Sequence, residues 1–281
     1  TLSATFGQDF GTVGSAAAID IDFAIGASTF NITGGSGTGA QTIDMTGLIE
    51  NLTVDGSAVG AGSITGDVSF NVDSYTNIEN ITAGSGTADV LTSTTIAGIT
   101  FVVVGDDTGT VDILGGSQTW AGFENLTGTS SADSFTFATG GSLTGTITGA
   151  GGTDEILGSD KVMAYTIGGG VDDDTDDGTV LVNGQTATFI DIANLTGSSL
   201  DDSFAVSGGM LSGTADGVAN TAAGDTLSGD VDYAITGANS GDSTAVTVWQ
   251  GIENLTGTAG ANEFTFATGG SLTGTITGAG G

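Results

Sequence analysis

Residues 122–152 read GFENLTGTSSADSFTFATGGSLTGTITGAGG, and residues 251–281 read GIENLTGTAGANEFTFATGGSLTGTITGAGG. The two stretches differ only at Phe123/Ile252, Ser130/Ala259, Ser131/Gly260, Asp133/Asn262 and Ser134/Glu263, so the chain is built from repeats. The first copy runs on into Thr153-Asp154-Glu155-Ile156-Leu157, whereas the second stops at Gly281, so the polypeptide is expected to continue past a truncation within a repeat.

A shorter unit is more widespread. Ile49-Glu50-Asn51-Leu52-Thr53, Ile78-Glu79-Asn80-Ile81-Thr82, Phe123-Glu124-Asn125-Leu126-Thr127, Ile192-Ala193-Asn194-Leu195-Thr196 and Ile252-Glu253-Asn254-Leu255-Thr256 share one pattern. In four of them an acidic or amide residue follows the Asn by 8 or 9 positions, with a large apolar residue two further on: Asp89/Leu91, Asp133/Phe135, Asp202/Phe204 and Asn262/Phe264. Second acidic turns follow Asp133 at Asp154 and Asp202 at Asp225, which gives a fine period of about 22.

That period selects a fold. Ile19, Ile21, Phe23 and Ile25 alternate with small residues, as do Val68, Phe70 and Val72, then Val111 and Ile113, then Phe135 and Phe137; each run is a strand signal. Gly, Ser, Asn and Asp interrupt the runs every few residues, and no helical stripe emerges. Three short strands with turns fill about 22 residues, the size of one coil of a parallel β-solenoid. The expectation is an all-β chain, residues 1–281 forming one continuous solenoid, with 1–77 divergent and 78–281 more regular. An array of β-sandwich modules is the alternative, although such modules need about 100 residues each. Some 13 coils at about 4.8 Å predict a rod roughly 60 Å long.

Composition narrows the chemistry. Of 281 residues 33 are acidic and one, Lys161, is basic, giving a net charge of −32, and His, Pro, Cys and Arg are absent. No Ser-His-Asp triad, thiolate nucleophile or zinc site is available, so enzymatic activity is not expected. Nucleic acid and anionic membrane surfaces are recognised mainly through Lys and Arg and would be repelled. No apolar run reaches the length of a membrane span, the densest being Ile99–Val104. A mean hydropathy of +0.24 argues for a packed core rather than disorder. A single Lys leaves little for trypsin-like proteases, which suits an extracellular setting.

Each recurrent Asn (Asn51, Asn80, Asn125, Asn194 and Asn254) sits in Asn-x-Thr, as does Asn31, and is formally a glycosylation acceptor. Their position between apolar residues favours a structural ladder, with corner amides bonded to the next coil's backbone. Asp172-Asp173-Asp174-Thr175-Asp176-Asp177-Gly178 is an acidic cluster that fails the EF-hand pattern and reads as a solvated loop, with a cation-binding insertion as the alternative. Trp120 and Trp249 are the residues on which a glycan would stack, although the aromatic residues are spread thinly.

Gly149-Ala150-Gly151-Gly152-Thr153-Asp154-Glu155-Ile156-Leu157 departs only at Ala150 from the calcium-binding nonapeptide G-G-x-G-x-D-x-U-x, and Gly84–Leu91, Gly128–Phe135 and Gly197–Phe204 match more weakly. Taken with the I-E-N-L-T-G units, the chain resembles the repeat regions of giant bacterial surface proteins and adhesins related to the RTX (haemolysin-type) calcium-binding repeats. The resemblance implies an extracellular stalk at the cell surface, often stabilised by calcium. Candidate ligands are Asp154, Asp133, Asp202, Asp225 and Asp89, oxygen donors suited to Ca²⁺. RTX sites need tandem nonapeptides, and here the matches stand alone. The expected role is a structural filament, sheath or adhesin stalk that assembles with itself end to end. The alternative is a calcium-responsive adhesin module that binds a surface glycan or receptor.

Overall fold

Alternating apolar residues punctuated by turn formers give strands and nothing else. The computed structural model describes residues 18–19, 29–33, 40–58, 60–68, 71–93, 97–169, 175–218, 223–258 and 260–280, and no helix occurs among them. Ile21, Phe23, Ile25, Phe70 and Asp172, Asp173 and Asp174 of the acidic cluster lie outside the described residues.

The strands fall into two sheets of 14, and the chain changes sheet after nearly every strand. It begins with β1 (Ala18–Ile19) in the first sheet, β2 (Thr29–Thr33) in the second and β3 (Thr42–Asp44) in the first. Three consecutive strands, β4 (Leu52–Ala58), β5 (Ala61–Gly66) and β6 (Asn71–Thr76), then form an antiparallel meander in the second sheet. Single strands β7 (Asn80–Thr82) and β8 (Val90–Thr92) precede a meander in the first sheet: β9 (Thr100–Gly105), β10 (Thr108–Ile113) and β11 (Gly116–Ala121). Four single strands follow, β12 (Asn125–Thr127), β13 (Ser134–Phe137), β14 (Thr146–Thr148) and β15 (Glu155–Gly158). A meander returns in the second sheet as β16 (Ala164–Ile167), β17 (Gly178–Val182) and β18 (Gln185–Ile190). Again four single strands follow, β19 (Asn194–Thr196), β20 (Ser203–Val206), β21 (Leu211–Asp216) and β22 (Thr226–Gly229). The last meander, β23 (Tyr233–Gly237), β24 (Ser240–Ser243) and β25 (Val246–Gln250), lies in the first sheet, before β26 (Asn254–Gly257), β27 (Phe264–Phe266) and β28 (Ile276–Thr277).

Among the described residues all pairing outside the meanders is parallel. Where one single strand intervenes, partners in a sheet are one short coil apart, as for Phe135 with Ile156, Leu195 with Ala215 and Ala18 with Thr42. Where a meander intervenes or takes part the separation is longer, as for Thr226 with Asn254 and, at the extreme, Asn31 with Ser74. The uniform short coil expected from the sequence is therefore corrected: it holds only between meanders. Because meanders alternate between sheets, a position returns to the same sheet after two of them, which is why the segment starting at Gly122 is repeated only at Gly251. Among the described residues both sheets run on through every meander, without a break into separate sandwich modules.

Each meander carries the same packing device. The third strand places a large aromatic residue against a glycine of the middle strand: Tyr75 on Gly62, Trp120 on Gly109, Phe189 on Gly178 and Trp249 on Gly241. A Cβ at any of these glycines would overlap both the ring and a carbonyl of the first strand. Two of the turns, Leu114-Gly115 and Asn183-Gly184, have both residues at positive φ (54° and 83°; 51° and 81°), the type I′ geometry that matches strand twist. In three of the meanders the first strand then stacks its aromatic ring on the next strand outward. Phe101 lies 5.2 Å from Phe135, Tyr165 5.1 Å from Phe204 and Tyr233 5.0 Å from Phe264, all stacked pairs. These rings and the inward Ile, Leu and Val side chains make one continuous core cluster between the sheets.

The glycine requirement is testable. Gly109→Ala and Gly241→Ala are expected to cost about 1–3 kcal/mol each through overpacking. Gly47→Ala, where a Cβ meets nothing within 4 Å, should leave the urea midpoint unchanged.

Candidate functional site

A chain that shuttles between two sheets must turn a corner before every strand, and it cannot leave buried amides unpaired there. The sequence meets this need with Asp. Asp89, Asp202 and Asp225 precede β8, β20 and β22 at the entry to the second sheet, whereas Asp133 and Asp154 precede β13 and β15 at the entry to the first. The two groups thus stand at opposite edges of the pair of sheets. All five side chains are buried.

Each carboxylate bonds the backbone of the neighbouring rung. Asp225 Oδ1 accepts the Asp202 N–H at 2.6 Å, and Asp202 Oδ1 in turn accepts that of Met163. Asp154 Oδ1 accepts from Asp133 at 2.8 Å, Asp133 Oδ1 from Ile99 at 2.6 Å, and Asp89 Oδ1 from Leu52 at 2.6 Å. The structure therefore brings Asp133 beside Asp154 and Asp202 beside Asp225, and sets Asp89 apart. The second oxygens of Asp133 and Asp202 cap their own turns, accepting from Thr129 N and Ser198 N. Those of Asp89, Asp154 and Asp225 have no hydrogen-bond partner among the described residues.

Room for the carboxylate comes from a glycine. Gly128, Gly149 and Gly197 stand five positions before Asp133, Asp154 and Asp202, and a Cβ on any of them would overlap the carboxylate; Gly217 does the same for Asp225. Gly257 stands so before Asn262. The Gly-x-x-x-x-Asp spacing that resembles a calcium repeat is thus also the spacing of a corner. Among the described residues no group of three acidic side chains is gathered to hold a metal ion.

The motif Glu continues these rows, a role the sequence reading missed. Glu253 Oε2 accepts the Asp225 N–H at 2.9 Å, Glu124 Oε2 that of Asp89 at 2.8 Å, and Glu79 Oε2 that of Gln41 at 2.6 Å. Its legible signal was the fixed place of Glu beside the recurrent Asn. That Asn ties three rungs together. Asn125 Nδ2 donates to Asp89 O at 3.2 Å while its Oδ1 accepts from Thr146 N at 2.9 Å. Asn194 links Asp154 O to Thr214 N, and Asn254 links Asp225 O to Thr275 N. Asn80 instead donates to Thr42 Oγ1 at 3.2 Å, and Asn51 to Asp67 Oδ2 at 3.0 Å. The expected corner amide bonded to the next coil's backbone is found for Asn125, Asn194 and Asn254, while the motif follows each meander into the opposite sheet, so successive copies alternate sheets and do not stack on one another. The preceding residue is left-handed in four copies, Asn77, Gly122, Asp191 and Gly251. The first copy differs again, with Ile49 87% exposed where Ile78, Phe123, Ile192 and Ile252 are buried.

Burial dominates the electrostatics. Desolvation pushes Asp225 up to about 7, aided by Asp202, Glu253 and Asp201 and opposed by the Asp202 N–H. It pushes Asp154 up to about 6, aided by Asp133 and Asp191. Asp89, Asp202 and Glu124 are raised for the same reason.

A carboxyl with a raised pKa binds its proton more tightly in the folded state than in the unfolded chain, so stability falls as pH rises through that range. The melting temperature should therefore increase as pH is lowered from about 8 to about 5. Asp225→Asn keeps an acceptor for the Asp202 N–H and should flatten this dependence. Asp225→Ala should cost about 1–3 kcal/mol at every pH through the orphaned amide.

Comparisons with family models, with curated proteins and with solved structures return no match. The functional reading rests on the two sheets and the carboxylate rows along their edges.

Proposed function

We propose that the chain is a β-solenoid segment of an extracellular bacterial surface filament, sheath or adhesin stalk, with a mechanical rather than catalytic role. Backbone ladders running the length of both sheets carry load along one axis, and 14 rungs at about 4.8 Å span roughly 60 Å. A charge of −32 keeps neighbouring rods apart until cations bridge them. The absence of His, Cys and Arg, with one Lys, supports a non-enzymatic role, and no helix among the described residues is long and apolar enough to cross a membrane.

The observation that carries the reading is the unbroken pairing of both sheets through every meander among the described residues. Phe266 is 51% exposed and Ile276 41% exposed, while their counterparts one long repeat earlier, Phe137 and Ile147, are 0% exposed. The core pattern runs on to β27 and β28, whose outer edges have no partner strand among the described residues. Axial assembly of this kind would pair the sheet edges of successive copies. Electron microscopy should show fibres that lengthen with concentration, and Phe266→Asp with Ile276→Asp should abolish them. Short monodisperse particles at all concentrations would refute axial assembly.

One observation favours the alternative, a calcium-responsive adhesin module: the second oxygens of Asp89, Asp154 and Asp225, which have no hydrogen-bond partner among the described residues. Under that reading EDTA lowers the melting temperature and Ca²⁺, unlike Na⁺ at matched ionic strength, restores it. A glycan or receptor contact through Trp120 or Trp249 has no such support, since both rings are buried in meanders.

A further inference from the structure

The acidic residues are not shared evenly between the two sheets. Alternate residues of each strand point into the core, and those between them form an outer face. On the first sheet that face carries Asp44, Asp112, Glu155, Asp216 and Asp242, from β3, β10, β15, β21 and β24. On the second it carries Asp55 of β4 and Asp73 of β6. The ten neighbouring strands that follow, from β8 through β12, β14, β18, β17, β16, β20, β22 and β26 to β28, contain no charged residue.

Hydroxyl and methyl groups take the place of the carboxylates. Register lines up Thr146, Thr188, Thr179 and Thr166 across four strands, then Ser228, Thr256 and Thr277 across three. Leu181, 44% exposed, stands beside Ala164 at the middle of the run, on β17. Acidic residues return only at the rim, with Glu124 before β12, Asp191 after β18 and Glu253 before β26.

We propose that this uncharged face is where two copies of the chain lie side by side, each setting the outer face of its second sheet against the other's. The reason is electrostatic. Two bodies of charge −32 repel wherever their carboxylates meet, and one Lys per copy supplies almost no counter-charge. Among the described strands, these ten let two sheets touch without placing like charges opposite one another. A second copy also has the same spacing between strands, so its small β-branched side chains can interdigitate rung by rung across about 10 Å. Ten rungs make a face about 45 Å long and about 12 Å wide. That is about 500 Å² per copy, below the roughly 800 Å² of a standard stable interface. One segment therefore pairs weakly, and the rim carboxylates make the pairing strengthen as salt screens them.

The proposal deepens the filament reading by naming what joins rods laterally, so it is tested with end-to-end growth blocked by Phe266→Asp and Ile276→Asp. Sedimentation velocity should show a monomer–dimer equilibrium that shifts toward dimer with concentration and with NaCl. Adding Thr166→Asp and Thr188→Asp should weaken the dimer by about tenfold or more, through like charges brought face to face. Thr110→Asp with Thr136→Asp, on the outer face of the first sheet, adds the same charge and should weaken it far less. Circular dichroism checks that both pairs fold. The chain has no cysteine, so Thr179→Cys should be joined into a dimer by a short bis-maleimide, and Thr136→Cys should not. Equal weakening by both Asp pairs, crosslinking through Thr136→Cys instead, or a monomer at every concentration and salt would each overturn the proposal. Capture of such a monomer on an insoluble neutral polysaccharide would assign the face to another occupant, with the same result. In the unblocked chain, fibres that lengthen but never pair sideways remove lateral association and leave axial assembly standing. Paired rods that do not lengthen do the reverse.

Discussion

The structure depends on a carboxylate oxygen that accepts the amide of the rung beside it. Strands of mostly three to six residues are too short to hold a sheet alone, and every corner between them threatens to bury an unpaired N–H. Asp at the corner removes that threat, but only if its side chain folds back against the turn. Glycine a few positions earlier makes the space. The same pairing of corner Asp with a space-making glycine recurs at Asp133, Asp154, Asp202 and Asp225.

That solution has an electrostatic consequence. Carboxylates shielded from water and stacked near one another resist ionisation, which is why Asp154 and Asp225 are pushed to about 6 and about 7. Hydrogen bonds from amides offset part of this but bring no counter-charge. A molecule with 33 acidic residues and one basic residue has almost no internal means of supplying one. Cations from outside are therefore integral to its physical chemistry, whether as a diffuse atmosphere or at defined places.

The meanders solve a different problem. A strictly parallel stack advances one rung per turn, whereas a three-stranded antiparallel excursion fills three rungs of one sheet before the chain crosses over. Alternating the excursions between sheets keeps the two in step, at 14 strands each. Each excursion is fixed by an aromatic ring lying on a glycine, and three of the four by a second ring stacked on the next strand.

The sequence by itself determined the all-strand character, the long repeat that carries Gly122 onto Gly251, the corner positions of Asp89, Asp133, Asp154, Asp202 and Asp225, and the inward Asn motif, because period-2 alternation and glycine spacing are local properties of the chain. Antiparallel excursions were partly legible too: Asn183-Gly184 is a strong hairpin signal, and Leu114-Gly115 adopts the same turn without announcing it. Only the tertiary structure decided which rung each Asp side chain reaches, that the motif alternates between sheets, and that Trp120 and Trp249 are core residues rather than exposed platforms. Those facts depend on register between strands as distant in the chain as Leu195 from Ala215 or Asn31 from Ser74, and register is set by packing across the core, which no local pattern encodes.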